Sequence, residues 1–227
     1  MNGLFDTTLR VSELFYSIQG ESTRAGLPCV FVRLQGCNLR CRFCDAAYSR
    51  EEEGGEAMSV AAVLDWIEQY PDQLVEITGG EPLLQAAVLP LMEELLRRGR
   101  TVLLETNGSL DISSVPPAVG IILDVKCPNS GMADRMEREN LVRLDQRWRN
   151  GARGDEIKFV IGSEEDFFWA RQVVLDECPD GPAVLFSPAR PGMAPTRLAE
   201  MILAHRLPVR LQLQLHSILW PDRDRGV

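Results

Sequence analysis

Short apolar runs and amphipathic segments alternate along this 227-residue chain. The runs are rich in Val, Ile, Leu and Phe, which is typical of buried strands. They lie at residues 29–34, 74–78, 101–105, 119–125, 156–161, 183–187 and 209–215. Helices are predicted at 59–70, with Ser59 as its N-cap, and near 85–98, 134–149, 164–177 and 194–205. Such alternation predicts a mostly parallel sheet with right-handed crossovers.

The chain is too short for a closed eight-unit barrel, which typically takes about 250 residues. The connection at 106–118 has weak helical character. We therefore expect an α/β fold, an incomplete, open (β/α) barrel formed as a single domain from residues 1–227. A doubly wound sheet is the alternative. In both architectures the functional groups collect at the carboxyl ends of the strands.

Charge and hydropathy limit the partners. The chain carries 24 basic and 33 acidic residues, a formal net charge of −9, which argues against a broad nucleic-acid surface. Its longest nearly apolar stretch, residues 82–92, is far shorter than the ~20 residues of a membrane span. The first residues lack the basic start and apolar run of a secretory signal. We expect a cytoplasmic protein without membrane or nucleic-acid partners.

Three of the six cysteines, Cys37, Cys41 and Cys44, form a C-x3-C-x2-C pattern. In a reducing compartment this clustering indicates metal or redox chemistry. Three thiolates on one loop can hold three irons of a cubane and leave the fourth open. Structural zinc would need a fourth ligand, and His205 and His216 are remote in sequence, so zinc requires Cys29 or residues brought in by the fold. An iron–sulfur cluster is favoured over zinc or inert thiols.

Other polar groups follow predicted strands. Gly79 and Gly80 would let a ligand approach the backbone, and Glu81 could offset an ammonium group, although a tight turn is the simpler interpretation. Asp124 and Lys126 could hydrogen-bond a ribose or form a plain ion pair.

Arginine and histidine positions raise further questions. Arg33 interrupts an apolar strand and needs a partner, such as a substrate carboxylate, or an exposed face. His216 alternates with Gln214 on the last predicted strand, so both should share one face; alone, it would be a structural histidine. Only Lys126 and Lys158 are lysines among the basic residues, either by chance or because a compact ammonium is needed there.

Several stretches carry a family resemblance. They are FYSIQGES (15–22), GLPCVFVRLQGCNLRCRFCD (26–45), TGGEPLL (78–84), ETNGS (105–109), DVKCPNSG (124–131), EIKFVI (156–161), SP (187–188), QLH (214–216) and a terminal RGV. The cysteine loop is similar to that of radical S-adenosylmethionine (SAM) enzymes. With SIQGE and the strand before the loop, the chain resembles the 7-carboxy-7-deazaguanine synthases of the queuosine and deazapurine pathway.

The resemblance implies a lyase that converts 6-carboxy-5,6,7,8-tetrahydropterin to 7-carboxy-7-deazaguanine with loss of ammonia. It implies a [4Fe-4S] cluster, SAM used catalytically, an electron donor such as flavodoxin or ferredoxin, and a homodimer. A rival function in the same superfamily is an activating enzyme that installs a glycyl radical on a partner protein. A rival from another class is a non-catalytic zinc-binding adaptor.

The resemblance also implies residue roles. The cluster ligands, which are the catalytic residues, would be Cys37, Cys41 and Cys44. The SAM-binding residues would be Phe43, Cys44, Asp45, Gly79, Gly80, Glu81, Gly108, Asp124, Val125, Lys126 and Ser187. The substrate-binding residues would be Ile18, Gln19, Gly20, Arg33, Thr106, His216 and Val227.

Three positions depart from the family pattern. A threonine that commonly ligates Mg2+ in the family is Ala46 here, and a methyl group cannot ligate a metal. Ser22 replaces a common glycine, and Ser217 stands where the family often has lysine. The expectation for magnesium is therefore that the site loses a ligand, takes water instead, or recruits Asp45 or Ser49.

Overall fold

A computed structural model describes residues 7–71 and 74–227. These residues form one nine-stranded sheet. Its strands are β1 Thr8–Ile18, β2 Pro28–Leu34, β3 Glu56–Ser59, β4 Leu74–Gly79, β5 Thr101–Thr106, β6 Gly120–Val125, β7 Glu156–Ile161, β8 Ala183–Pro188 and β9 Arg210–Leu211. The strand order is β3-β1-β2-β4-β5-β6-β7-β8-β9, and within the described residues β3 and β9 do not pair. The predicted open, mostly parallel barrel is confirmed.

Helices connect most of the parallel strands. They are α1 Val60–Ile67, α2 Val88–Arg97, α3 Glu139–Arg149, α4 Glu164–Asp176, α5 Pro195–His205 and α6 His216–Leu219. The side chain of Ser59 accepts a hydrogen bond from the Ala62 amide at 3.1 Å, so the predicted cap of α1 is confirmed. Ser163 caps α4 in the same way. In the described part of the chain, no helix combines the length and apolar character needed to cross a bilayer.

One face of the sheet packs against the helices, and the other lines the inside of the barrel. The large core lies between one face and the helices. On the inner face, a small apolar cluster closes the amino end of the barrel. It consists of Phe15, Cys29, Phe31, Leu74, Leu103 and Ile122. Because this plug fills one end, polar side chains on the inner face can reach a ligand only toward the carboxyl ends of the strands.

Two strands at the start of the chain were not predicted. β1 pairs antiparallel with both β2 and β3, so the cysteine loop follows the second strand, not the first. β1 mixes buried, half-buried and exposed residues, and it therefore lacks the continuous apolar run of the central strands.

The predicted last strand at 209–215 is wrong beyond residue 211. The Gln212 amide still donates to the Phe186 carbonyl of β8 at 2.9 Å, but the strand does not continue beyond it. The side chains of Gln212 and Gln214 donate to Glu21, each at 2.9 Å. His216 begins α6, so it does not alternate with Gln214 on a strand.

Candidate active site

A cavity of about 440 Å³ opens at the carboxyl ends of the parallel strands. This volume lies in the range of small-molecule sites. Most of the predicted site residues line it. These are Ile18, Gln19, Gly20, Arg33, Cys37, Cys41, Phe43, Cys44, Asp45, Gly79, Gly80, Thr106, Asp124, Lys126, His216 and Val227. Segments more than 200 residues apart in sequence therefore meet in one pocket.

The cysteine loop after β2 brings three thiols to this cavity. Its base is closed by two backbone hydrogen bonds, from Gly36 to Ser49 at 2.8 Å and from Cys37 to Arg50 at 2.9 Å. Burial raises the pKa of Cys41 and of Cys44 in the metal-free chain. Ligation by a metal must therefore supply the deprotonation of these thiols.

The thiol geometry bears on the zinc alternative. Tetrahedral zinc holds sulfur at ~2.3 Å, so its ligands lie within about 4 Å of one another. Among the described residues, the three loop cysteines do not all come within 4.8 Å of one another. Cys29 is buried in the apolar plug at the other end of β2. The three thiols are therefore not arranged as the compact ligand set of a single zinc ion.

Gly79 and Gly80 are needed for a reason other than ligand approach. Gly79 has φ +147°, and a Cβ there would collide with the carbonyl oxygen of Leu34. A Cβ at Gly80 would collide with the carbonyl oxygen of Gly36. The two glycines thus let the end of β4 pack directly against the cysteine loop, and both also line the cavity, so their predicted contact with a ligand stays a prediction.

Glu81 lies beneath the cavity wall and is fully buried. Its carboxylate accepts from the Thr106 hydroxyl at 2.9 Å and from the backbone amides of Asn107 at 2.7 Å and Leu83 at 3.0 Å. Burial raises the pKa of this carboxyl, and these donors oppose the shift. Glu81 therefore fixes Thr106 in place, and its predicted contact with an ammonium group stays a prediction.

Three buried side-chain polar atoms lack a partner among the described residues: Nε of Arg171 on α4, and two oxygens at the carboxyl ends of strands. The two oxygens are Oδ1 of Asp124 and Oγ of Ser187. The other oxygen of Asp124 accepts from Lys126 Nζ at 2.7 Å. Burial disfavours the Lys126 ammonium, but Asp124 outweighs it and raises the lysine pKa. Because buried polar groups are normally paired, the two free oxygens fit a cofactor that offers hydroxyl or amino groups, as SAM does.

Gly108 and Val125 do not reach the cavity wall. The Gly108 carbonyl accepts from the Glu137 amide at 2.9 Å, and its φ of +72° suits the turn after β5. Val125 faces the helices in the large core. Both residues shape the strand ends and do not touch the cavity.

A second polar cluster on the inner face was missing from the sequence interpretation. Lys158 Nζ donates to Glu21 at 2.9 Å and also to Glu105, and it lies 3.8 Å from Asp124. Burial would raise the pKa of Glu105, but Lys158 and Thr78 outweigh it and lower that pKa to about 2. Both lysines of the chain therefore lie in this site, paired with carboxylates.

Glu76 sits deeper on β4 in the same cavity. The Gln19 amide donates to its carboxylate. Burial, with Glu105 and Glu21 nearby, raises the pKa of Glu76 well above the ordinary value. The available signal was an acidic residue inside the apolar run LVEIT, the same signal that singled out Arg33.

Arg33 projects into the cavity from β2. Among the described residues its only hydrogen bond is from Nε to Glu13 Oε1, at 2.9 Å. Its guanidinium lies 5.7 Å from the Phe15 ring centre and 5.9 Å from that of Tyr48. Nη1 and Nη2 are thus available to an acid in the cavity.

One group of side chains could hold a cation. Ligand atoms of Glu21, Asp45 and His216 all lie within 4.8 Å of one another. The two carboxylates are the oxygen ligands that Mg2+ prefers, and the His216 imidazole adds a nitrogen ligand, which Mg2+ uses less often. Ala46 is buried and offers no ligand, while the Ser49 hydroxyl donates to the Ala46 carbonyl at 2.8 Å. Of the two substitutes predicted for the missing threonine, Asp45 is therefore placed to act and Ser49 is not.

Comparisons with known proteins agree with this site. Residues 31–125 match the family described as the radical SAM superfamily. A 7-carboxy-7-deazaguanine synthase of Chlorobaculum tepidum is 41% identical over 98% of this chain and 99% of its own. One from Koribacter versatilis is 40% identical over 96% of this chain and 100% of its own.

A solved structure supports the same family. QueE from Escherichia coli superposes with a TM-score of 0.71 at 26% identity, covering 91% of this chain and 94% of that chain. The chain therefore belongs to the 7-carboxy-7-deazaguanine synthase family, within the radical SAM superfamily.

Proposed function

We propose that this chain converts 6-carboxy-5,6,7,8-tetrahydropterin to 7-carboxy-7-deazaguanine with loss of ammonia. The observation that carries the proposal is a single cavity in which the three-cysteine loop faces a polar half built from Arg33 and the Lys158 cluster. The relatives' names supply the reaction, and the cavity supplies room for both a cofactor and a small substrate.

Different residues of the chain would hold the cluster and the different parts of SAM. Cys37, Cys41 and Cys44 would hold a [4Fe-4S] cluster through their thiolates. When bound, cluster and SAM supply radical chemistry that removes hydrogen from an unactivated carbon. Asp124 and Ser187 would use their unpaired oxygens on SAM. Phe43 lies in the cavity wall between the last two cysteines, where an aromatic ring can stack on adenine.

The substrate would lie across the polar half. Nη1 and Nη2 of Arg33 match a carboxylate held by two parallel hydrogen bonds. On the floor of the cavity, three carboxyl groups, those of Glu21, Glu76 and Glu105, lie beside one ammonium group, that of Lys158. The carboxyl oxygens can accept hydrogen bonds from a ligand. The amino and ring N–H groups of a pterin are suitable donors. The two ends of the cavity thus match the two ends of the proposed substrate.

The carboxyl-terminal segment restricts access to the cavity. Trp220, Pro221 and Val227 are part of its wall. Exclusion of water strengthens the polar contacts inside and protects a reactive intermediate. An activating enzyme that acts on a partner protein needs an open mouth, so this arrangement favours a small-molecule substrate.

Magnesium would bind at Glu21, Asp45 and His216, with water or substrate completing its shell. We further propose that the whole chain works as one domain in the cytoplasm, as a homodimer, with flavodoxin or ferredoxin as electron donor. The net charge of −9 argues against a broad nucleic-acid surface.

The test is an anaerobic assay with reconstituted protein, reductant, SAM and 6-carboxytetrahydropterin. We expect 7-carboxy-7-deazaguanine and ammonia in equal amounts, with SAM not consumed. Cleavage of SAM without product, under conditions in which a known family member turns over, would contradict the proposal.

A further inference from the structure

Glu13 reaches the inner face of the sheet because β1 contains an irregularity. Val11 pairs with Leu34 and Glu13 pairs with Arg33, so two residues of β1 advance against one residue of β2. Side chains two apart in a regular strand share a face. The bulge breaks this rule: Val11 stays in the outer core, while Glu13 turns to the same side as Arg33. Bulges commonly redirect a side chain beside an active site.

The contact made by Glu13 fixes the orientation of Arg33. It uses only Nε, at 2.9 Å from Oε1. Both side chains are mostly buried, with 17% of the Arg33 side chain and 14% of the Glu13 side chain exposed. Glu13 holds Nε, and the rings of Phe15 and Tyr48 flank the guanidinium plane. The edge of the guanidinium that carries Nη1 and Nη2 is therefore directed into the cavity.

The same carboxylate also holds two other parts of the chain. The Tyr48 hydroxyl, from the segment after the cysteine loop, donates to Oε1 at 2.6 Å. The backbone amide of Gly226 donates to Oε2 at 3.1 Å. Arg225 lies over the Tyr48 ring at 4.1 Å and reinforces this attachment. One buried carboxylate thus joins β1, β2, the cysteine-loop segment and the carboxyl terminus.

We infer that Glu13 is a positioning residue for substrate binding: it orients the Arg33 guanidinium toward the substrate carboxylate and attaches the carboxyl-terminal segment over the same end of the cavity. The inference rests on the proposed function for the identity of the ligand. The role requires two acceptor oxygens, because Oε1 serves Arg33 and Tyr48 while Oε2 serves Gly226. A glutamine is neutral and has one acceptor oxygen, so Glu13→Gln weakens every contact that depends on the carboxylate charge and also leaves one set of donors, either Arg33 with Tyr48 or Gly226, without an acceptor.

The experiment uses the reconstituted holoenzyme and compares Glu13→Gln with Glu94→Gln, the same change at a carboxylate that pairs with Arg97 and Arg98 at the end of α2, outside the cavity. Steady-state constants are measured with 6-carboxytetrahydropterin, and dissociation constants with SAM and with tetrahydropterin lacking the carboxylate. For Glu13→Gln we expect KM to rise roughly tenfold, since the substrate contact is charge-assisted, with kcat changed less than about threefold. Affinity for SAM and for the carboxylate-free pterin should stay at the wild-type value, and Glu94→Gln should change KM by less than about threefold.

The rate at which carboxypeptidase releases the last residues of the chain gives a second readout, because it reports how firmly the carboxyl-terminal segment is attached. Release should be faster from Glu13→Gln than from the wild type. Arg225→Ala, at an exposed side chain, should also speed release, and it serves if Glu13→Gln does not fold. An unchanged KM in Glu13→Gln, a parallel loss of SAM affinity and kcat, or wild-type release in Arg225→Ala would overturn the inference. Failure of the wild-type enzyme to turn over the pterin would instead count against the proposed function.

Discussion

The two halves of the cavity are built in different ways. The cofactor half comes from short motifs that each end a strand, such as the cysteine loop after β2 and Asp124–Lys126 after β6. The substrate half comes from side chains that are far apart in sequence and joined by hydrogen bonds. Lys158, for example, contacts Glu21 across 137 positions. The first half depends on local loop geometry, and the second depends on a charge network that exists only in the folded chain.

The segment that follows β1 shows how the second half is assembled. β1 runs antiparallel to its neighbours, so residues 19–24 start at the amino end of the barrel and cross its open side. There the Ser22 amide donates to Gln212 at 2.8 Å, and Leu215 donates to the Gly20 carbonyl at 3.0 Å. This segment brings Gln19 and Glu21 into the cavity, and it lies where a closed barrel would have its remaining strands.

The largest effect is expected in the cofactor half. Cys41→Ala should remove most of the iron and reduce turnover below detection, because no other thiol can replace the ligand. Iron, sulfide and product are measured after anaerobic reconstitution. Cys29→Ala and Cys127→Ala are matched controls, since both thiols are buried in apolar clusters and should leave the cluster intact. Loss of the cluster in a control and its retention in Cys41→Ala would refute the assignment.

In the substrate half, Lys158→Met should lower stability substantially. The side chain is 5% exposed and balances Glu21 and Glu105. Removing one partner of a buried ion network leaves uncompensated charge, which costs about 3–5 kcal/mol. The free energy of unfolding is measured in urea on the chain without cluster.

The control for Lys158 is a surface pair. Arg197→Met breaks the exposed contact with Glu164 and should leave the unfolding midpoint unchanged. If both substitutions had the same small effect, the Lys158 network would not hold the substrate half together.

Arg33→Lys should weaken pterin binding by roughly 1–3 kcal/mol, because an ammonium cannot reproduce the two parallel hydrogen bonds of a guanidinium. Binding is measured by equilibrium titration under anaerobic conditions. Arg97→Lys, on α2 and with 71% of its side chain exposed, is the matched control. Wild-type pterin affinity in Arg33→Lys would exclude Arg33 as the carboxylate ligand.

The smallest effect concerns magnesium. Since Mg2+ accepts water in place of one protein oxygen, Glu21, Asp45 and His216 can support the ion without a ligand at position 46. We expect Ala46→Thr to reach half-maximal turnover at a lower magnesium concentration than the wild type, by a few-fold. Turnover is followed against magnesium concentration for both proteins. Identical, strict dependence would show that position 46 does not bear on the metal.

What could be predicted from the sequence differs in the same way between features encoded in contiguous residues and features that depend on contacts between distant residues. The central strands, the helix caps and the cysteine loop are encoded in contiguous residues, so they were predicted. β1 was missed because its two faces serve different environments, and a bulge changes its alternation between Val11 and Glu13. The early end of β9 could not be predicted from the sequence. The side chains of Gln212 and Gln214 bind Glu21, which is remote in sequence, and residues 212–215 do not continue the strand.

Site residues divide similarly. Lys126 and Asp124 were found from a strand end, and Lys158 carried only the signal of being one of two lysines. Glu81 and the paired glycines were predicted to contact a ligand, and the structure shows that they also support the loops that carry the site. Sequence does not distinguish a residue that touches a ligand from one that fixes its neighbour, because both are polar groups at the same strand ends.

The central claim is that one cavity contains two separable binding halves. The direct measurement is a set of four dissociation constants, for SAM and for 6-carboxytetrahydropterin, each with Cys41→Ala and with Arg33→Lys under anaerobic conditions. We predict that Cys41→Ala loses SAM affinity by about tenfold or more and keeps pterin affinity, while Arg33→Lys does the reverse. Loss of both ligands in either variant, with the fold intact, would contradict the claim.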